Sequence, residues 1–220
     1  MRVAVGNTKG GVGKSTTAVQ KAIAQARKGR KVLLINADRQ ESALDSITAR
    51  EVAGVLPAVT CIKCEEGADL ERLLKEQSAL FDDVIVDVGG RDSSAFRAAL
   101  VHCDVLYVPT QPRAYDVWAM NDLAALLDQA ALARKALGFA PLRALAGLTL
   151  ADHGSLAADN RDAKKEVKKL PQVEFIDAPL RRRKAFWNAS AQGLSVSELK
   201  PIDDKAVAEL KHLMSIVFNS

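Results

Sequence analysis

The sequence predicts an α/β fold, with one doubly wound, mostly parallel sheet and helices on both faces. Seven short runs of aliphatic and β-branched residues are continuously apolar rather than alternating, which is typical of strands buried on both faces of a parallel sheet. Helical stretches of about 10–20 residues separate these runs. We find no linker, internal repeat or low-complexity tract, so residues 1–220 are predicted to form a single domain.

The strands start with the N-terminal run RVAVG and recur along the chain. They are predicted at residues 2–6, 31–36, 59–62, 83–88, 104–109, 143–150 and 173–176. Among the helices, the clearest are predicted at 15–28, 115–137 and 203–218. Gly29 directly follows the first of them, at the position where glycine commonly ends a helix.

Composition limits the class of protein. Apolar residues make up 48% of the chain and charged residues 26%, as in ordinary soluble globular domains. No apolar run reaches the roughly 18 residues that a membrane span needs. The N-terminal run leads directly into a strand rather than a signal peptide, and three cysteines suit a reducing compartment better than a disulfide framework. We therefore expect a cytoplasmic protein.

A phosphate-binding loop is predicted at TKGGVGKSTT, residues 8–17, between the first strand and the first helix. It fits the frame G-x-x-x-x-G-K-[ST], except that Thr8 stands at the first glycine. Backbone N–H groups of such a loop, together with the helix N-terminus, form an anion site. Lys14 would contact the β- and γ-phosphates, the Ser15 hydroxyl would bind Mg²⁺, and Thr16 would contact the α-phosphate.

Lys9 is a second lysine, at the front of the same loop. KGGVGKST resembles the deviant Walker A loop of the ParA/MinD superfamily, whose signature lysine has this position. The resemblance implies a P-loop NTPase fold, ATP and Mg²⁺ as cofactors, and an ATP-bound homodimer in which Lys9 reaches the partner's phosphates. Such a cation would stabilise developing charge as an arginine finger does. The nucleotide-binding residues are predicted to be Lys9, Gly10, Gly11, Val12, Gly13, Lys14, Ser15 and Thr16.

The segment after the second strand, NADRQESAL, resembles the family's D-x-D-P-Q switch segment. Asp38 matches the carboxylate that orients or activates the attacking water. Asn36 stands where an aspartate is common, and Arg39 replaces the proline. Because Asp38 is retained, we expect hydrolysis to survive, with Lys9, Lys14 and Asp38 as the catalytic residues.

A second switch is predicted after the fourth strand, where FDDVIVDVGGRDSS resembles the family's Walker B strand. Asp87 would hold Mg²⁺ there, with Ser15 as the other metal-binding residue. Gly89 and Gly90 would give the backbone freedom to follow the γ-phosphate.

Two further segments extend the resemblance over nearly the whole chain. VPTQPRAYD, residues 108–116, resembles the family's strand-then-proline segment, which borders the nucleotide and the dimer face. LRRRKAFWNASAQGLSVSEL, residues 180–199, resembles its late R-x₂-[FY]-x₂-A-x₃-G-x-S-V-x-E pattern. Among the branches of the superfamily, the chain is most similar to the small plasmid-partition ParA proteins (ParF-like).

Positive charge is concentrated between residues 161 and 184. Nine basic and four acidic residues give this segment a net +5, so the rest of the chain carries −1 of the total +4. Such a patch would bind the phosphates of any DNA sequence and weaken steeply with salt, as the resemblance also implies for ATP dimers. A solvated basic face is the alternative. The predicted DNA contacts are Lys164, Lys165, Lys168, Lys169, Arg181, Arg182, Arg183 and Lys184.

Two weaker signals favour structural roles. The terminal segment KAVAELKHLMSIVFNS has an apolar stripe, but it is too poor in basic residues for a membrane-surface helix, so we expect it to pack on the core. Cys61 and Cys64 form a lone C-x-x-C with no second pair of zinc ligands, which favours structural cysteines.

The sequence therefore predicts a slow, partner-stimulated ATP hydrolase that dimerises on ATP and binds DNA nonspecifically. It would segregate a plasmid or chromosome through a ParB-type centromere-binding adaptor, at the nucleoid of a bacterial cell. The motifs do not separate this function from ParA-like positioning of a protein cargo. A MinD-like membrane-cycling regulator and a metabolic or metal-cluster enzyme of the same superfamily are further alternatives.

Overall fold

A computed structural model describes residues 1–112, 116–153 and 157–218. Its strands join one sheet in the order β3-β2-β4-β1-β5-β6-β7, with β8 pairing beside β6. Every pairing among them is parallel. The strands are β1 (Arg2–Val5), β2 (Val32–Ala37), β3 (Thr60–Lys63), β4 (Asp83–Val88), β5 (Val105–Thr110), β6 (Arg143–Ala151), β7 (Glu174–Phe175) and β8 (Leu180–Arg181).

Helices cover both faces of this sheet, because the strands are apolar on both sides and need two layers to bury them. One core lies beneath α1, α2, α7 and α8, and the other beneath α3, α4, α5 and α6. A short 3₁₀ turn follows α3. The helices are α1 (Lys14–Ala26), α2 (Ser42–Val52), α3 (Gly67–Glu76), α4 (Ser94–His102), α5 (Asp116–Ala136), α6 (Ala157–Val167), α7 (Lys184–Ala191) and α8 (Asp204–Val217).

The predicted fold class is confirmed, and all seven predicted strands lie within one residue of their predicted ends. The run at 173–176 shortens to the two residues of β7, and β8 was not predicted at all. Strands of two residues carry too little periodicity to be recognised in a sequence. The assignment of residues 1–220 to a single domain stays a prediction.

The strand order brings three loops together at the carboxyl edge of the sheet. β1 lies between β4 and β5, and β2 lies on the far side of β4. In register, Asp87 of β4 stands opposite Asn36 of β2 and Val5 of β1. The segments that follow β1, β2 and β4 therefore start side by side, which is where open α/β sheets bind their ligands.

The terminal helix α8 packs on the core, as predicted. Its apolar stripe of Leu210, Leu213, Met214 and Val217 is at most 4% exposed. Within the described ranges, no helix is both long and apolar enough to cross a bilayer.

Candidate nucleotide-binding site

The phosphate loop connects β1 to α1 and takes its shape from two glycines. Gly11 and Gly13 have φ values of +74° and +83°, in the left-handed region that strongly favours glycine. Gly13 is also the N-cap of α1, so the loop ends at the positive end of the helix dipole. Between them, Val12 is 1% exposed and anchors the loop in the protein. Gly10 and Gly11 are exposed at its outer side.

Three buried polar side chains that the sequence analysis missed hold this loop in place. Gln111, just after β5, donates from Nε2 to the Gly11 carbonyl at 2.5 Å. Thr149 of β6 donates from Oγ1 to the Val12 carbonyl at 2.7 Å. Asn7 donates to the Pro109 carbonyl at 2.9 Å and accepts from the Lys9 N–H at 3.2 Å. Only Gln111 had a sequence signal, since it lies in the 108–116 segment.

Lys14 lies under the loop rather than in solvent, with 6% exposure. Its ammonium donates to the Lys9 carbonyl at 2.9 Å, which ties the two ends of the loop together. Burial lowers the pKa of Lys14, while Asp87 and Asp38 oppose that shift. The structure thus brings Lys14 together with both predicted carboxylates.

Asp87 is fully buried at the end of β4. Neither carboxylate oxygen accepts a hydrogen bond of normal geometry within the described part of the chain. Burial raises the pKa of Asp87 to about 7; the Ser15 hydroxyl opposes this shift, Asp38 adds to it and Lys14 opposes it. A buried carboxylate without donors is costly unless a cation or water satisfies it.

These orphaned oxygens fit a magnesium ion. No group of three or more His, Cys, Asp or Glu side chains gathers at one point among the described residues. Mg²⁺ characteristically takes one or two protein ligands and completes its shell with nucleotide phosphates and water. Asp87 and Ser15 would hold such an ion, and their role as its ligands stays a prediction.

The first switch, residues 38–41, begins where β2 ends and holds Asp38 in a tight turn. The Gln40 N–H donates to Asp38 Oδ1 at 3.1 Å, and the Glu41 N–H donates to the Asp38 carbonyl at 3.2 Å. Arg39, which replaces the proline, is 90% exposed and lies 3.7 Å from Glu65. An ion pair with a partner so exposed contributes little to stability. Arg39 therefore does not give the turn the rigidity of a proline.

The second switch touches the phosphate loop at Gly90. A Cβ built there would lie 2.9 Å from the Gly10 nitrogen and 3.1 Å from the Lys14 ammonium, whereas one at Gly89 would meet only Asp38, at 3.6 Å. Both glycines were predicted to give backbone freedom. The close contact adds a steric reason for glycine at Gly90, because a Cβ there would crowd the loop, while the predicted backbone freedom stays a prediction.

A cleft of about 220 Å³ opens beside Ser15 and Thr16, between the start of α1, the first turns of α2, and α7. Its outer wall includes the indole of Trp187, which is 73% exposed. A larger groove of about 510 Å³ runs along β3 and α3, but it shares no residue with the phosphate loop.

The predicted DNA contacts divide into three groups. Arg181 and Arg183 both donate to Glu209 of α8, whose side chain is 9% exposed, at 2.9 and 2.8 Å. Lys164, Lys165 and Lys169 make exposed ion pairs with Asp177, Asp162 and Glu166. Within the described ranges, no ion pair involves Lys168, Arg182 or Lys184, and all three are exposed.

The cysteines show no reactive character. Burial raises the pKa of Cys61 and Cys103 to about 12, and that of Cys64 in the same direction. Since the thiolate is the reactive form, burial disfavours reaction at these thiols, and the structural role of the C-x-x-C pair stays a prediction.

Comparison with known families matches residues 3–196 to the CobQ/CobB/MinD/ParA nucleotide binding domain. The chain belongs to this family. That match spans the phosphate loop, both switch segments and most of the late pattern. The predicted resemblance to the ParA/MinD superfamily is confirmed, and the chain is a ParA/MinD-type ATPase.

Two curated relatives match over most of their length. The chain is 25% identical over 221 residues to maintenance of carboxysome distribution protein A of Halothiobacillus neapolitanus, covering 99% of this chain and 96% of that one. It is 36% identical over 195 residues to the protein of the same name from Gloeobacter kilaueensis, covering 88% and 82%. The fold resembles that of the Cyanothece McdA–ATP complex, with a TM-score of 0.74 at 15% identity over 99% of this chain and 96% of that one.

Proposed function

We propose that this chain is an Mg²⁺-ATP-dependent positioning ATPase whose nucleotide state controls dimerisation and DNA binding. The observation that carries this proposal is the convergence of Lys14, Asp38 and Asp87 at the phosphate loop. Among the described residues, no donor makes a hydrogen bond of normal geometry to the Asp87 carboxylate oxygens. A site that leaves a carboxylate unsatisfied suits a cation that arrives with its ligand.

The chemistry would follow from the placement of these groups. Loop N–H groups and Lys14 hold the phosphates, and Mg²⁺, when bound, supplies positive charge to the phosphate oxygens. Asp38 orients water toward the γ-phosphate, which yields ADP and phosphate. Lys9 would add its charge from the partner subunit, so that full charge stabilisation requires a dimer. Hydrolysis in one chain alone is therefore slow, and a partner protein would stimulate it.

Lys168, Arg182 and Lys184 form the exposed basic set proposed for DNA binding. They belong to the segment with net charge +5, and none of them is neutralised by an ion pair in the described part of the chain. Phosphate contacts from lysine and arginine carry no sequence preference. The ATP dimer would present two such sets, so that its affinity for DNA exceeds that of the monomer.

The cargo is the second part of the proposal. The two relatives that match over most of their length are named for carboxysome distribution, which favours a protein cargo carried by the same cycle. Plasmid or chromosome segregation through a ParB-type adaptor, as the sequence predicted, uses identical chemistry and is the competing cargo. In either case a partner protein would connect the ATPase to the cargo.

The deciding experiment measures binding to a random-sequence DNA duplex with ATP and with ADP across a salt series. We expect binding with ATP, loss with ADP and a steep decline with salt. Lys9→Ala should abolish the ATP dependence, while Lys28→Ala, at an exposed lysine two residues after α1, should not. Equal binding in both nucleotide states would contradict the proposal. Flotation with anionic vesicles and ATP tests the MinD-like alternative.

The two cargoes are distinguished in the host cell. Deleting the gene should mislocalise a protein body if the cargo is protein, and should raise the rate of plasmid or chromosome loss if the cargo is DNA. A fluorescent fusion that follows neither would contradict both.

A further inference from the structure

Asn36, in β2 two residues before Asp38 of the first switch, has no role in the proposed mechanism. It is fully buried, and it is the fifth residue of β2, directly opposite Asp87, the fifth residue of β4. Paired residues on adjacent parallel strands point to the same face of a sheet. Asn36 and Asp87 therefore stand side by side on the face covered by α1.

The orientation of the Asn36 amide is fixed by its partner. Nδ2 donates to the main-chain carbonyl of Asp38 at 2.7 Å, and since a carbonyl can only accept, the group facing it must be the NH₂. The same Asp38 carbonyl also accepts from the Glu41 N–H. Two donors thus hold the peptide that carries the proposed water-orienting carboxylate.

An ionised aspartate could not make this contact with the Asp38 carbonyl. An ionised carboxylate has no proton to donate, so it would repel the Asp38 carbonyl instead of holding it. It would also be a third negative charge beside Asp87 and Asp38, in a buried site where like charges disfavour one another's ionisation. The amide avoids both effects. Its Oδ1, like the Asp87 oxygens, has no donor within the described part of the chain.

We propose that Asn36 is a positioning residue, which holds the main chain at Asp38 through its amide NH₂ and keeps the place beside Asp87 uncharged. This inference rests on the proposed function, because the role of Asp38 is part of that function. Asn36 acts through Asp38 and does not itself contact the reacting atoms.

The first test needs no nucleotide. Hydrogen exchange is measured at the Gln40 and Glu41 amides, which donate to Asp38, in the wild type, Asn36→Asp and Asn36→Ala. Both variants should exchange about tenfold faster at these two amides, with the rest of β2 and β4 unchanged. Asn188→Asp, the same substitution on the exposed side of α7, is the matched control and should exchange as the wild type does. Unchanged exchange at both amides, or faster exchange spread over β2 and β4, would overturn the inference.

The second test separates positioning from binding. Asn36→Ala should lower kcat about tenfold and leave the KM for ATP within about twofold, because the phosphate loop is intact. Faster exchange with an unchanged kcat would overturn the positioning role. A wild type that binds but does not hydrolyse ATP would refute the proposed function, and the exchange experiment would still decide whether Asn36 holds the first switch.

Discussion

Arg50 of α2 and Glu198 form a two-pronged ion pair, with N–O distances of 2.8 and 2.9 Å. Arg50 is 1% exposed and also donates to the carbonyls of Gly193 and Pro57. A Cβ on Gly193 would lie 2.4 Å from the main-chain nitrogen of Arg50. The late G-x-S-V-x-E pattern is therefore a structural connection between α2 and the segment after α7, and it fixes the helix that follows the first switch.

Removing the arginine should destabilise the protein strongly. Arg50→Met leaves Glu198 nearly buried without its main partner, and we expect a loss of about 3 kcal/mol in the free energy of unfolding. The measurement is urea denaturation. Arg50→Met combined with Glu198→Leu should recover part of that loss, because no charge is then left unpaired. If the double variant is as unstable as the sum of both single variants, the pair is not the cause.

Lys21 predicts a dependence of stability on pH. Its ammonium is fully buried beneath α1, 4.1 Å from the centre of the Tyr107 ring, with no hydrogen-bond acceptor among the described residues. Burial lowers the pKa of Lys21 to about 7 from 10.5. Between these values the unfolded chain binds the proton more strongly than the folded one. The contribution of Lys21 to the free energy of unfolding should therefore rise from pH 7 to about 10.5 and stay constant below pH 7.

Lys21→Met should then raise the free energy of unfolding at pH 7. The fall of the pKa from 10.5 to about 7 measures the burial penalty, at about 1.4 kcal/mol per pKa unit. The attraction between the ammonium and the Tyr107 ring offsets about 2 kcal/mol of that penalty. We therefore expect the free energy of unfolding to rise by roughly 3 kcal/mol. Lys28→Met, an exposed position two residues after the same helix, is the control and should change stability by less than about 0.5 kcal/mol. Equal effects of the two substitutions at pH 7 would show that Lys21 carries no burial penalty.

Gly90→Ala tests the close approach of the second switch to the phosphate loop. The added methyl group would overlap main-chain atoms of Gly10, which cannot move aside without opening the loop. We expect ATP affinity to fall about tenfold or more, measured with a fluorescent ATP analogue. Gly89→Ala places the same methyl group at an ordinary contact distance from Asp38 and should bind normally. Equal ATP affinity in the two variants would show that a methyl group at position 90 does not disturb the phosphate loop.

Thr149→Val tests the contact between β6 and the loop. The substitution keeps the shape of the side chain but leaves the buried Val12 carbonyl without its donor, which should cost about 1–3 kcal/mol of stability. ATP affinity should fall in parallel, because the carbonyl belongs to the loop. Thr60→Val, on the exposed part of β3, is the matched control. Thermal melting with and without ATP measures both effects.

The arginines before α7 should separate into two functions. Arg183→Gln removes a donor from nearly buried Glu209 and should lower stability by about 2 kcal/mol. Arg182→Gln should leave the melting temperature unchanged and reduce the salt dependence of DNA binding by about one ion. A loss of DNA binding in Arg183→Gln at full stability would reverse this division.

The sequence was sufficient to predict the fold class and the residues of the phosphate loop, because both have strong local signals. Continuous apolar runs mark parallel strands, and the loop has a fixed spacing of glycines and lysine. The contacts of Gln111 and Thr149 could not be predicted in the same way. Each is a single polar residue more than 90 positions away from the atom to which it donates, and only the order of the strands brings them together.

In the basic segment, residues 161–184, the residues could be predicted from the sequence but their individual roles could not. Its charge was visible in the sequence, but the role of each arginine depends on where α8 places Glu209. Two of three adjacent arginines turn toward that carboxylate, and the third is exposed. The neutral character of Asn36 was visible too, although its effect became clear only from the register between β2 and β4.

Side chains from β6 and from the segment just after β5 hold two carbonyls of the phosphate loop, whereas the switch segments approach it through Lys14 and the small residue Gly90. We expect a change in the bound phosphates to act first on the switch side, toward β2, α2 and α7. On hydrolysis the switch side would change conformation, whereas the half of the sheet formed by β5 to β7 would keep its position through every turnover.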